Sequence, residues 1–197
     1  MASENKDITV FDDPINYNVT HPFQHKWTLW FDNPGKKANL QSWGQHLKEV
    51  VSVDTVEEFW GVYNNVVKVD RLDISSNYHL FKQGVRPEWE DSANANGGKF
   101  SIQFPRNRTA EAINDYWLQT MLAMVGEQFH AEDEICGAVV SVRKVFFRIA
   151  LWIKSSDDMT KIQTIGQQLK DFLKVPPNIA VEFAPHGDGK GQSRMTI

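Results

Sequence analysis

The stretch with the most specific chemistry in this 197-residue chain is Pro87-Glu88-Trp89-Glu90-Asp91, a tryptophan set between carboxylates. It follows a predicted strand and reads as a loop, where a large exposed aromatic forgoes burial energy and invites association. The indole offers an electron-rich face to a flat, preferably cationic ring, and the neighbouring carboxylate offers acceptors to a ring's N–H edge. The plain alternative is a tryptophan folded back onto the core edge, with the acids keeping the loop soluble. A second solitary tryptophan, Trp43, lies in the polar stretch 36–44, where the bland reading is a loop anchor packed on the core. A third, Trp152, belongs to an alternating run. Arg148, Ala150, Trp152 and Lys154 point to one face of that strand, and Ile149, Leu151 and Ile153 to the other. Two cations flanking an indole suit an anion beside a ring; a solvated face with a stray tryptophan is the alternative.

These side chains need a scaffold, and the remaining pattern predicts one. Lys26 to Phe31 reads as a strand stopped by Asp32-Asn33-Pro34-Gly35, and Tyr78 to Lys82 as a second, short strand. Lys99 to Phe104 alternates apolar with polar residues, as a half-buried strand does. Gly137 to Lys154 is too long for one ordinary strand and reads as a hairpin, and Ile179 to Phe183 as a last short strand. Asp54, with Glu57 three residues on, predicts a helix start of capping-box type. Val56, Phe59, Trp60, Tyr63 and Val67 then form one helical stripe, mostly core, with Trp60 and Tyr63 at its centre or its rim. Asn107 or Thr109 is expected to cap a helix running to Val125, with Ile113, Trp117, Met121 and Met124 inward and Gly126 at its stop. A further helix is expected from about Ser156-Asp157-Asp158 to Leu173, ended by Val175-Pro176-Pro177. Strands separated by three one-sidedly apolar helices predict an α+β fold, an antiparallel sheet with helices on one face.

Composition narrows the function. A net charge of −4 and a pI near 5.9 exclude a chain that holds nucleic acid by whole-surface counterion release, so any such contact is local. The single cysteine, Cys136, excludes an internal disulfide framework and a cysteine-based zinc site, as expected of the cytosol or nucleus. No apolar run approaches the ~20 residues of a membrane span, and the N-terminus lacks a signal-peptide core, so neither membrane nor secretion is expected. Residues 1–20 read as a flexible arm before a single domain over 21–197, and Gly187 to Gly191 begin a mobile, glycine-rich tail carrying Lys190 and Arg194. His130-Ala131-Glu132-Asp133-Glu134 is a solvated connection rather than a metal site, since hard cations need more oxygen ligands in a defined loop.

Several ordered blocks together resemble the eukaryotic translation initiation factor 4E family, the messenger-RNA cap-binding proteins. They are His21-Pro22-Phe23-Gln24-His25-Lys26-Trp27-Thr28-Leu29-Trp30-Phe31, Thr55-Val56-Glu57-Glu58-Phe59-Trp60, Pro87-Glu88-Trp89-Glu90-Asp91 with Gly97-Gly98, Tyr116-Trp117-Leu118-Gln119-Thr120, Cys136 to Arg143, and Ile149-Ala150-Leu151-Trp152. The resemblance implies a curved antiparallel sheet with about three helices on its convex face and the cap in its concave face. It implies that Trp43 and Trp89 sandwich 7-methylguanine, that Glu90 accepts the base N–H edge while the Trp89 backbone N–H donates to O6, and that Trp152 touches the N7 methyl. Arg143 and Arg148, with Lys99, would bind the phosphates.

On the convex side the resemblance implies a groove of His21, Pro22, Val56, Trp60, Leu118 and Leu122 for a helical motif of the initiation factor 4G scaffold or of a 4E-binding repressor. No cofactor, metal or catalytic residue is implied, and the expected place is the cytoplasm, with the nucleus as a further one. The chain departs from the family pattern at Lys144-Val145-Phe146-Phe147, where a polar or glycine-containing turn is usual, and at Phe100, where tryptophan is common. Two other classes compete with a general initiation factor. A cap-processing hydrolase would need a carboxylate array for metal or a histidine cluster, and the six histidines are scattered. A repressive paralogue or a pure interaction module would keep the groove with weak or no cap binding.

Overall fold

The computed structural model describes residues 19–34, 46–187 and 195–197. Trp43, nearly all of the expected N-terminal arm and the glycine-rich stretch from Asp188 to Arg194 lie outside the described residues. Eight strands form one antiparallel sheet: β1 (Pro22–Asp32), β2 (Lys48–Thr55), β3 (Asn77–Lys82), β4 (Gly98–Pro105), β5 (Ile135–Val142), β6 (Phe146–Ile153), β7 (Val181–Pro185) and β8 (Met195–Thr196). Their spatial order is β2-β1-β3-β5-β6-β4-β7-β8. Among the described residues the α-helices of a full turn or more are α1 (Val56–Asn65), the single turn α2 (Arg106–Thr109), α3 (Ala112–Val125) and α4 (Met159–Leu173). No helix among the described residues is long and apolar enough to cross a membrane.

Strand parity sorts the sheet into two faces. Leu29, Leu80, Ala138, Leu151, Phe100 and Phe183 are successive cross-strand partners, all buried, and they share the convex face with Ile102, Val140 and Ile149. The helices cover this face with Phe59, Ile113, Trp117, Met121, Ile162, Ile165 and Leu169, so one continuous core joins sheet and helices. Residues one step out of phase line the opposite, concave face. Their rows run Asp32, Asn77, Ser141, Arg148, Gln103; then Trp30, His79, Val139, Ala150, Ser101; then Thr28, Phe81, Gly137, Trp152, Lys99. A full sheet therefore separates concave chemistry from the helical side.

Local signals are corrected in several places. The N-cap of α1 is Thr55 rather than Asp54: the Thr55 hydroxyl accepts from the Glu58 N–H, and the Glu58 carboxylate accepts from the Asp54 N–H. The helix after β4 is not one piece, because Ala110 takes φ 42° and breaks it into α2 and α3. Thr109 consequently donates to the Pro105 carbonyl and caps nothing, and Glu111 precedes the main helix. The end of the expected tail, Met195–Thr196, is an edge strand on β7. The hairpin turn is confined to Lys144 and Val145, since the Arg143 N–H donates to the Phe146 carbonyl and Val142 pairs with Phe147. Phe147 is buried in the convex core, so the apolar departure anchors β6 and holds Arg148 in phase with the concave face.

Candidate functional site

A cavity of about 160 Å³ opens in the concave face, lined by Asn77, His79, Pro87, Lys99, Val139, Ser141, Arg143, Arg148, Ala150 and Trp152. Register places most of these: Arg148 sits opposite Ser141 and Gln103, and Trp152 sits between Gly137 and Lys99. Gly137 is required there, because a Cβ would lie 2.4 Å from the Phe81 ring. Its missing side chain lets Phe81 meet Trp152 edge-on across it, ring centroids 5.5 Å apart. The His186 ring packs on Trp152 with its centroid at 4.2 Å, and Cys136, Val139 and Val85 complete the apolar support beneath the indole. Burial pushes the Cys136 thiol up to about 12, so it is a packing group rather than a nucleophile.

The polar side of the cavity carries unbalanced positive charge. Burial lowers the pKa of Lys99, Arg143 and Arg148, and the cations reinforce one another: Arg148 acts on Lys99, and Arg143 on Arg148. The Arg148 Nε–H is buried with no acceptor among the described residues. Only Asp32 offsets the effect at Arg143. Desolvated guanidinium groups with unspent donors are what a polyphosphate satisfies, through charge-assisted and often bidentate hydrogen bonds.

Trp89 and Glu90 stand at the rim, on a loop that begins after a turn made possible by Gly84 at φ +86°. The loop is braced from inside. Buried Asn94 donates to the carbonyls of Arg86 and Glu88, Asp91 accepts from the N–H groups of Arg86 and Ala93, and Arg86 forms a two-pronged ion pair with Glu88 while lying over the Trp30 ring. Pro87 turns into the cavity, whereas Trp89 remains 51% exposed. The Trp89 N–H and the Glu90 carboxylate have no partner among the described residues. The alternative of a tryptophan folded onto the core edge is therefore absent here; the loop holds out an indole face, a donor and a carboxylate. Lys154, grouped with Arg148 and Trp152 by parity alone, lies beyond the end of β6 and is exposed.

His186 carried no local signal in the sequence; only the closure of β7 onto β4 brings it to Trp152 and Lys99. Burial, then the Lys99 ammonium, push its imidazole down to about 4. The unfolded chain would take that proton near pH ~6.5, the folded chain only near 4, so stability attributable to this group is present above pH ~6.5 and drains away as pH falls towards 4. Thermal unfolding between pH 7 and 4 should accordingly show a shallower acid loss for His186→Gln than for the wild type. Equal slopes would mean that the ring is not held neutral by its surroundings.

Groups that match the second expected surface lie on the other side of the sheet. The His21 N–H and ring Nδ1 both bond the Glu57 carboxylate, and the Val56 N–H donates to the His21 carbonyl, which ties the start of β1 to the start of α1. Trp60 is 37% exposed, with Phe59 and Tyr63 edge-on at 5.4 and 5.8 Å. Leu122 is equally exposed, and Leu118 and Pro22 are half-buried. Trp60 is thus not the core residue that periodicity alone would allow. A cleft between α1 and α3, lined by Phe59, Tyr63, Trp117 and Met121, offers only about 30 Å³. Its one cation, Lys68, is already spent on the Tyr63 carbonyl and ring, so the concave cavity holds the chemistry. Among the described residues no cluster of three or more His, Cys, Asp or Glu side chains is placed to hold a metal.

Comparison with known proteins agrees with this arrangement. The family model described as Eukaryotic initiation factor 4E matches residues 22–196. A Candida albicans protein, eukaryotic translation initiation factor 4E, is 42% identical over 182 residues, covering 90% of this chain and 85% of its own. Among solved structures, Ascaris suum eIF4E-3 in complex with an m2,2,7G cap superposes with a TM-score of 0.84 at 35% identity, covering 91% of this chain and 99% of that one. Caenorhabditis elegans eIF4E-3, solved with the 4E-binding protein Mextli and a cap analogue, superposes at 0.83 with 34% identity over 91% of this chain and 100% of that one.

Proposed function

The chain belongs to the eukaryotic initiation factor 4E family, and from that premise we propose that its concave cavity holds the 7-methylguanosine 5′ cap of messenger RNA through its own named residues. It is a binding factor of translation initiation, not an enzyme. The observation that carries the site assignment is the meeting of Lys99, Arg143 and Arg148 with Trp152 in one cavity beside a loop that presents Trp89 and Glu90. Methylation at N7 gives guanine a positive charge, so an indole face holds it by cation–π attraction as well as by stacking. Stacking contributes roughly 1–3 kcal/mol per contact, and a desolvated cation–π contact about 2 kcal/mol. In this reading Trp89 covers one face of the base and Trp43 the other, Glu90 accepts from N1–H and the 2-amino group, the Trp89 N–H donates to O6, and Trp152 meets the methyl. The triphosphate runs over Arg143 and Arg148 towards Lys99.

The groove around His21, Pro22, Val56, Trp60, Leu118 and Leu122 takes the helical motif of a 4G-type scaffold or of a 4E-binding repressor, by apolar anchors at helical spacing. The bound messenger is thereby delivered to the initiation complex, in the cytoplasm and with a nuclear pool. Intrinsic fluorescence titration with 7-methyl-GTP and GTP tests the reading, because stacking quenches the indoles directly. The methylated nucleotide is expected to bind at least about 30-fold tighter, the worth of ~2 kcal/mol of cation–π attraction. Equal affinities would remove the cap assignment.

A further inference from the structure

We propose that Asp32 and Asn77 form a positioning relay that holds Arg143 in its phosphate-binding pose; this rests on the reading of the cavity as a cap site. Asp32 closes β1 opposite Asn77 on the concave face and is fully buried. Its carboxylate accepts from Asn77 Nδ2 at 3.0 Å on both oxygens, and from His79 Nε2–H at 2.5 Å. The Ser75 carbonyl takes the amide nitrogen as well, at 3.4 Å. Every acceptor around that end of the Asn77 side chain demands the NH2 group, so the amide cannot flip. Its Oδ1 is thereby turned to Arg143, whose Nη2 donates to it at 3.0 Å. A second N–H of the same guanidinium, on Nη1, donates to the Val142 carbonyl at 2.9 Å.

Two of the five guanidinium donors are therefore spent on fixing the plane, and the other three, on a side chain that lines the cavity, have no partner among the described residues. The choice of groups has a consequence for charge. The atom that touches Arg143 is a neutral amide oxygen, and the balancing carboxylate sits one residue further in, beyond the reach of a ligand. A carboxylate in direct contact would compete with phosphate for the same N–H fork; an amide orients the fork and leaves its charge to the ligand. His79, itself lining the cavity, shares the Oδ1 of Asp32 with Asn77 and so fixes the start of the relay.

The test is a double-mutant cycle read with inorganic tripolyphosphate, 7-methylguanosine and 7-methyl-GTP. Asn77→Ala and Asp32→Asn are each expected to weaken tripolyphosphate and 7-methyl-GTP roughly tenfold, the scale of one misplaced charge-assisted contact. The affinity for 7-methylguanosine, which has no phosphate, should stay within about twofold of wild type on the same grounds. In an Arg143→Ala background neither substitution should weaken tripolyphosphate further, since the relay acts only through that side chain. A loss that persists in that background, or a parallel fall in nucleoside affinity, would overturn the relay, as would unchanged tripolyphosphate binding by Asn77→Ala. If Asp32→Asn gives no folded protein by circular dichroism, Asn77→Ala decides alone. Failure of the cap reading itself appears elsewhere, as equal wild-type affinity for GTP and 7-methyl-GTP, a comparison in which the relay has no part.

Discussion

Trp89→Ala is expected to lose retention on immobilised 7-methyl-GTP, with a fall in solution affinity of about 10²- to 10⁴-fold, from roughly 1–3 kcal/mol of stacking and about 2 kcal/mol of cation–π attraction. The fold should barely notice. Trp89 is 51% exposed and meets no other ring among the described residues, and its loop is braced by Asn94, Asp91 and the Arg86–Glu88 pair rather than by the indole. Exposed side chains of this kind change stability by about 0.5 kcal/mol or less. Near-ultraviolet circular dichroism and the midpoint of thermal unfolding should therefore match the wild type while the binding isotherm flattens. The loss should also be selective: GTP, which binds without the cationic ring, should lose less affinity than 7-methyl-GTP. Binding of 7-methyl-GTP within about threefold of wild type would mean that the base does not stack on this loop.

How much of this was legible in the chain depends on the range over which each signal acts. The β4 strand was readable because Lys99 to Phe104 alternates within six residues, and the direction of Arg148 and Trp152 followed from parity in β6. The helix faces around Ile113, Trp117 and Met121 and around Ile162, Ile165 and Leu169 were readable for the same reason, at period 3.6. The β2 strand was not, since it pairs only with β1 and presents mostly exposed or half-exposed residues from Lys48 to Thr55, so no alternation marks it. Nor was the break at Ala110, where neither glycine nor proline announces the φ of 42°. Asp54 and Thr55 each have a glutamate three residues on, so spacing alone could not choose between them; Thr55 is the N-cap because Glu58 closes the reciprocal pair with it and the Asp54 N–H, while Glu57 is held by His21. Trp89 and Glu90 stood out locally as a loop aromatic beside a carboxylate, whereas Arg143 and Lys99 carried no local signal of a phosphate role. The relay behind Arg143 joins residues 32, 77 and 143, which nothing but the register of β1, β3 and β5 brings together. His186 reached the site by the same kind of long-range closure.

The opposite selectivity is expected at the convex side. Trp60→Ala should weaken binding of a helical 4G-type scaffold peptide by at least about 30-fold, the ~2 kcal/mol that marks a buried aromatic anchor of an interface. Affinity for 7-methyl-GTP should be unchanged, because Trp60 stands on α1 and the whole sheet lies between it and the cavity. Isothermal titration with each ligand reads both arms. Trp60 is less detached than Trp89: its ring meets Phe59 and Tyr63 edge-on, and Phe59 is buried in the core. Truncation should therefore cost about 0.5–1.5 kcal/mol of stability through lost aromatic contacts, visible as a slightly lower unfolding midpoint at full cap affinity. That combination separates an anchor from a core residue. A core tryptophan of the kind the helical stripe alone permits would cost about 3–5 kcal/mol on truncation and would depress cap and peptide binding together. With Trp89→Ala measured beside it, the pair forms a crossed design: each variant should lose one ligand and keep the other. Loss of both ligands by Trp60→Ala would show that the two faces of the sheet are not independent.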